Sequence, residues 1–160
     1  DKDPIVWNNR GKAKANTQDL KNAIPDFDKA ISIKSDYDKA IENRANTHYA
    51  LQNWKEASVD FDKLIASGKT ETEFLQKTGT AKYTLKDFKG SADALSKVVA
   101  KGIKDKEVYK MLGLSQAQNS DCVESSKNLA AAVSMGISDA ETLNQLGTCQ
   151  YKNKDFSGAL

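Results

Sequence analysis

Residues 72–105 read TEFLQKTGTAKYTLKDFKGSADALSKVVAKGIKD, and the pattern of residue types in this stretch returns on both sides at a fixed step of thirty-four. Gly79 falls in a column with Gly11, Ala45, Gly113 and Gly147, every member glycine or alanine. Phe88 aligns with Leu20, Trp54, Cys122 and Phe156, and Leu75 with Trp7, Ile41, Tyr109 and Leu143. Ser91 shares a column with Ala23, Ala57, Ser125 and Ala159, Leu95 with Phe27, Phe61 and Leu129, and Val99 with Ile31, Ile65 and Val133. Columns in register over nearly the whole chain, at a period between about twenty and fifty residues, mark stacked supersecondary units.

Each unit reads as two helices. Asp3-Pro4 opens the first, Asp as cap and Pro in the first turn, and this helix should reach about Ala15. Asp19, Asn53, Asp87, Asp121 and Asp155 form an Asx column that starts the second helices, with Glu56 and Glu124 three residues on in the manner of a capping box. Gly68, Gly102 and Gly136, with Lys34 in the first unit, close those helices, and links bearing Asp36, Thr70, Asp105 or Asp139 lead into the next. Apolar residues such as Phe61, Leu64 and Ile65 fall at helical spacing. Pro25, inside a second helix, predicts a kink.

The composition is that of a globular chain, 160 residues with 39% hydrophobic and 29% charged. Twenty-four basic against 22 acidic residues give a net charge of +2, too balanced to point to nucleic acid. No apolar run reaches the ~18 residues of a membrane span, which argues against membrane insertion. One histidine and two cysteines offer no metal-ligand spacing, and nothing implies a cofactor. Gly68-Lys69-Thr70 lacks the earlier glycine of a phosphate-binding loop, since Lys63 stands there. His48 reads as a partly buried structural residue, and no nucleophile has a base at readable spacing, so an enzyme is not indicated. Cys122 and Cys149 fall at helix ends that antiparallel stacking would bring together. Two readings stand: a disulfide, or two small buried thiols.

A thirty-four-residue helix–turn–helix unit with Ile41, Ala45, Tyr49, Trp54, Ala57, Phe61 and Ile65 in these places resembles the tetratricopeptide repeat, and residues 23–31 of the first unit are similarly typical. The resemblance covers the chain as repeats 4–37, 38–71, 72–105, 106–139 and a truncated 140–160, about four and a half units of one solenoid domain, and the incomplete fifth unit leads us to expect a piece of a longer protein. The proline that often ends a family unit is missing. The resemblance implies an all-α fold, a right-handed superhelical solenoid of antiparallel helix pairs whose first helices line a concave groove. It implies a non-catalytic scaffold for protein–protein interaction, holding a peptide segment or partner protein in that groove. Projected onto this chain, the groove residues are Asn8, Asn9 and Lys12; Asn43, Asn46 and Tyr49; Gln76, Lys77, Thr80 and Tyr83; Lys110; and Asn144 and Gln145.

Amide side chains offer both a donor and an acceptor to a peptide backbone. The tyrosines offer amphipathic contact area, or cap the core. The family's clamp for a C-terminal carboxylate is not reproduced, because Glu73 stands where a positive charge is needed. The alternative function is assembly, or self-association, through an open C-terminal face. An RNA-binding helical repeat ranks below both, given the balanced charge.

Overall fold

The computed structural model describes residues 2–153, so the expectations placed on Asp155, Phe156, Ala159 and Leu160 fall outside the described residues. Those residues form helices α1 (Pro4–Asn16), α2 (Leu20–Ile33), α3 (Asp38–Ala50), α4 (Trp54–Ala66), α5 (Thr72–Thr84), α6 (Phe88–Ala100), α7 (Lys106–Gln118), α8 (Cys122–Ser134) and α9 (Ala140–Lys152), with no strand among them. The fold is all-α, and odd-numbered first helices alternate with even-numbered second helices. The helices gather into two compact units that divide within α5, between Ala81 and Lys82.

In the first unit the core follows the columns. Phe61 is completely buried with Ile41, Ala45, Ala57, Leu64 and Phe74 around it, and its ring stacks on Phe74 at 5.8 Å between centroids. Tyr49 closes the cluster edge-on against Trp54 at 5.1 Å. The Gly/Ala column exists because a large second-helix residue docks on it. A Cβ built on Gly11 would come within 2.6 Å of the Phe27 ring. The second unit repeats the device, where a Cβ on Gly113 would lie 2.7 Å from Leu129 Cδ2. Leu95, Val98, Leu112 and Leu129 form its buried stripe.

The caps differ in detail from the sequence reading. Asp3 caps α1 through Ile5 N–H as expected. Asp87 and Asp121 accept from Gly90 and Glu124 N–H, whereas Asp19 and Asn53 make no side-chain cap bond. Neither capping box closes. Asn53 turns its amide to His48 Nδ1 at 3.3 Å, and the Glu124 carboxylate pairs instead with Lys127 Nζ at 2.6 Å. The links into first helices shift by one: α3 begins after Tyr37, not Asp36, and Glu71, not Thr70, supplies the carbonyl that starts α5. The in-register column is therefore Asp3, Tyr37, Glu71, Asp105 and Asp139. α2 runs through Pro25 as one element.

One turn element escaped the sequence reading. Gln18, Gln52, Lys86 and Ser120, one per repeat and each just before the Asx column, adopt left-handed φ of 60–65°. The residue after each reaches back five positions, as Asp87 N–H does to Lys82 C=O at 2.9 Å, which is the Schellman closure made without glycine. Gly68 and Gly136 perform the same closure on second helices, and Gly102 shares their left-handed backbone, with φ of 80–97° across the three. A side chain in that region carries a steric cost that glycine avoids. Lys86→Gly should therefore raise stability by about 0.5–1 kcal/mol, read as a higher urea midpoint at unchanged slope.

Candidate functional site

In the first unit the first helices are joined by side-chain bridges along one face. Asn43 on α3 donates from Nδ2 to Asn8 Oδ1 on α1 at 2.8 Å. Lys77 on α5 donates to Asn46 Oδ1 on α3 at 2.6 Å and to Glu73 Oε1, one turn back on its own helix, at 2.5 Å. The sequence reading placed Asn43 and Asn46 on this face as amides open to a ligand. They are instead half-buried and partly engaged, because a thirty-four-residue step sets neighbouring first helices within side-chain reach of each other.

The Asn8–Asn43 pair uses one donor and one acceptor, leaving Asn8 Nδ2 and Asn43 Oδ1 for another group. Exchanging oxygen and nitrogen on both residues leaves the same inventory, one NH₂ group and one carbonyl oxygen. These two amides, with Ile5, Asn9, Lys12, Tyr37, Lys39 and Glu42, line a cleft of about 520 Å³ between α1 and α3. A smaller hollow of about 210 Å³ continues from Lys12 and Asn43 past Asn46 to Ala50. Asn9 and Lys12 are exposed at the rim of the larger cleft. Ile5, Tyr37 and Lys39 were missed because they belong to no projected groove position; Ile5 lies at the start of α1, Tyr37 in the α2–α3 turn and Lys39 at the start of α3.

The other projected residues divide by environment. The Tyr49 ring belongs to the core, with Lys77 Nζ 5.6 Å from its centroid. Gln76 and Thr80 are half-buried on α5. In the second unit Tyr83 packs edge-on against Phe88 at 5.8 Å, and Lys110 on α7 donates to Asp139 Oδ2 ahead of α9 at 2.8 Å. Burial first, then Glu141, push the Tyr83 phenol up, against the opposing pull of Lys110. Asn144 is exposed, while Gln145 directs its amide to Cys149 Sγ one turn along α9 at 3.6 Å.

The Lys110 hydrogen bond, aided by Thr142 N–H, pulls the Asp139 carboxyl down to about 2. A depressed folded-state pKa contributes stability above the ordinary carboxylate range near ~4, and that contribution is lost as pH falls through about 2. Carboxyl NMR titration should place Asp139 there, and Lys110→Ala should return it toward the ordinary range.

A second polar system lies between first and second helices. Arg10 pairs with Asp26 at 2.6 Å and Lys14 joins at 2.8 Å; one repeat later Arg44 pairs with Asp60 at 2.7 Å and with Asp28 at 2.6 Å. Asp26 and Asp60 are buried, so the guanidinium is what makes burial of each carboxylate tolerable. The Arg10 hydrogen bond holds Asp26 below the usual carboxylate range. One further step along the sequence, both partners change together, Arg to Thr78 and Asp to Ala94. Thr78 Oγ1 is buried with no hydrogen-bond partner, a remnant of the polar column. Beside Arg44, His48 is half-buried, and desolvation chiefly lowers its pKa.

The family model for the tetratricopeptide repeat matches residues 5–37, which are α1, α2 and the turn into α3. A crystal structure of YrrB, described as a tetratricopeptide-repeat protein with an unusual peptide-binding site, superposes with a TM-score of 0.79 at 21% identity, over 99% of this chain and 82% of that one. The fold is that of the tetratricopeptide-repeat proteins. MamA from Desulfovibrio magneticus RS-1 superposes at 0.71 with 17% identity, over 99% and 89% of the two chains. PilF of Pseudomonas aeruginosa does so at 0.59 with 16% identity, over 98% and 71%. No curated protein matches the chain by sequence. No helix among the described residues is long and apolar enough to cross a membrane.

Proposed function

We propose that this protein is a non-catalytic scaffold whose first-helix face holds an extended segment of another protein, with the α1–α3 cleft as a principal contact. The observation that carries the reading is the Asn8–Asn43 pair. It fixes two amides against each other and leaves one NH₂ group and one carbonyl oxygen beside a cleft of about 520 Å³, able to meet the C=O and N–H of a peptide backbone. Ile5 and Tyr37 give the cleft apolar wall, and Lys12, Lys39 and Glu42 give it charge of both signs. The likeness in fold to YrrB, a protein described by its peptide-binding site, supports the same reading.

Peptides selected from a random display library against the immobilised chain provide the test. Asn43→Ala with Asn46→Ala should weaken the selected peptides about tenfold or more, since each lost hydrogen bond costs roughly a kcal/mol. Affinity unchanged in a variant that still unfolds cooperatively would remove the groove from the account.

Assembly through α9 is the second reading. Leu143 is 43% and Tyr151 67% exposed there, although Ile41 and Leu75, in the Leu143 column, are buried. A molar mass independent of concentration in sedimentation equilibrium would end that reading.

A further inference from the structure

The two cysteines of the chain fall on one interface, and the packing around them departs from the repeat in two coordinated ways. In the second and third repeats the corner between first and second helix is an aromatic pair, Tyr49 on Trp54 and Tyr83 on Phe88. The same two columns in the fourth repeat hold Ala117 and Cys122, so a small thiol stands where a ring stood. Cys149, in turn, takes the column of Ser115. Ser115 hydrogen-bonds Ser91 at 3.1 Å, and one repeat on Cys149 Sγ meets Ser125 Oγ at 3.6 Å.

Two contacts fix the register of α8 on α9. Ser125, three residues after Cys122, touches Cys149; Asn153, four residues after Cys149, donates to the Cys122 carbonyl at 3.0 Å and to Ser126 Oγ at 3.2 Å. Each cysteine therefore takes part in one of these bridges and lies one turn from the other, so the two face the same seam. Both are reduced in this structure; Cys149 is wholly buried and Cys122 half-buried. Burial, and then the neighbouring Cys149, push the Cys122 thiol up.

We propose that Cys122 and Cys149 form an oxidative modification site, closing to an intramolecular disulfide that staples α8 to α9 when the protein meets a low-molecular-weight disulfide. Cys122, the more exposed, loses its proton and its thiolate attacks the oxidant's S–S bond, giving a mixed disulfide and releasing one small thiolate, which takes up a proton. Cys149, deprotonated in turn, attacks the Cys122 sulfur; the Cys122–Cys149 bond forms, the mixed disulfide breaks, and the second small thiolate leaves and is protonated. Two protein thiols are oxidised and one oxidant disulfide is reduced to two thiols. Burial of Cys149 favours this outcome over a second adduct, because the oxidant cannot reach its sulfur. The staple would hold α9, with Asn144 on it, against α8.

The test treats the native chain with oxidised glutathione and follows intact mass and the peptide map. The expected result is a loss of two hydrogens, a peptide joining Cys122 to Cys149, reversal by dithiothreitol, and amide exchange across the α8–α9 seam slowed about tenfold or more. Cys149→Ser, which places in that site the residue its own column carries at Ser115, should stop at a glutathione adduct on Cys122. A wild-type chain that stops at the same adduct, links two copies through Cys122, or stays fully reduced while still folded would overturn the proposal.

Discussion

Phe61→Ala is expected to lower the unfolding free energy by about 3–5 kcal/mol. The ring is completely buried and stands against Tyr49 at 6.2 Å and Phe74 at 5.8 Å, so truncation removes the centre of the first unit's cluster. Closure of the cavity is opposed by the neighbours, because Ile41, Leu64 and Phe74 are held on three different helices. The loss is comparable with the ~5–15 kcal/mol of a typical domain, so the variant should be partly unfolded near its midpoint temperature well below that of the parent. Chemical denaturation followed by circular dichroism and tyrosine and tryptophan fluorescence measures it. A change below about 1 kcal/mol would mean that this cluster is not the core described.

The second large effect comes from the Arg44 network. Arg44→Thr should cost roughly 2–3 kcal/mol, because Asp60 stays buried and loses the bidentate partner that compensates its desolvation. The value stands below that of a fully buried pair because the guanidinium is itself partly exposed. Arg44→Thr combined with Asp60→Ala should recover most of the loss. The chain carries that combination as Thr78 and Ala94 in the next repeat, which shows that the two columns can be emptied together. The double-mutant cycle reads the coupling; additive losses would show that the pair is not the unit described here.

Helix pairs and their packing residues were legible in the sequence because core packing is local and repeats. Gly11 admits Phe27 for the same reason that Gly113 admits Leu129, and a column of small residues opposite a column of large ones records it. Caps were legible to within one residue, as the displacement from Asp36 to Tyr37 shows, because several polar residues compete for each link. The left-handed turn residues were invisible: Gln, Lys and Ser carry no signal for positive φ, and only the backbone reveals them. The ion pairs were present in register, Arg10 with Arg44 and Asp26 with Asp60, yet the partners lie sixteen residues apart on different helices, where no helical spacing draws attention to them.

The helix that carries each candidate residue was legible, and what its side chain can offer was not. Projection placed Asn8, Asn43, Asn46 and Lys77 on first helices, and all four lie there. What each amide has left to offer depends on cross-helix distances of under 3 Å, which residue type cannot specify. Tyr49 shows the same limit, since its ring completes the core cluster although its projected position was the groove.

The most direct measurement is NMR observation of the side-chain amides while a display-selected peptide is titrated into the isotopically labelled chain. The account predicts that the Asn8 and Asn43 NH₂ resonances move first and saturate with the backbone signals of Lys12 and Lys39. Shifts confined to the surface of α2, α3 and α4 around Val59 and His48, with the Asn8 and Asn43 amides unmoved at saturation, would contradict it.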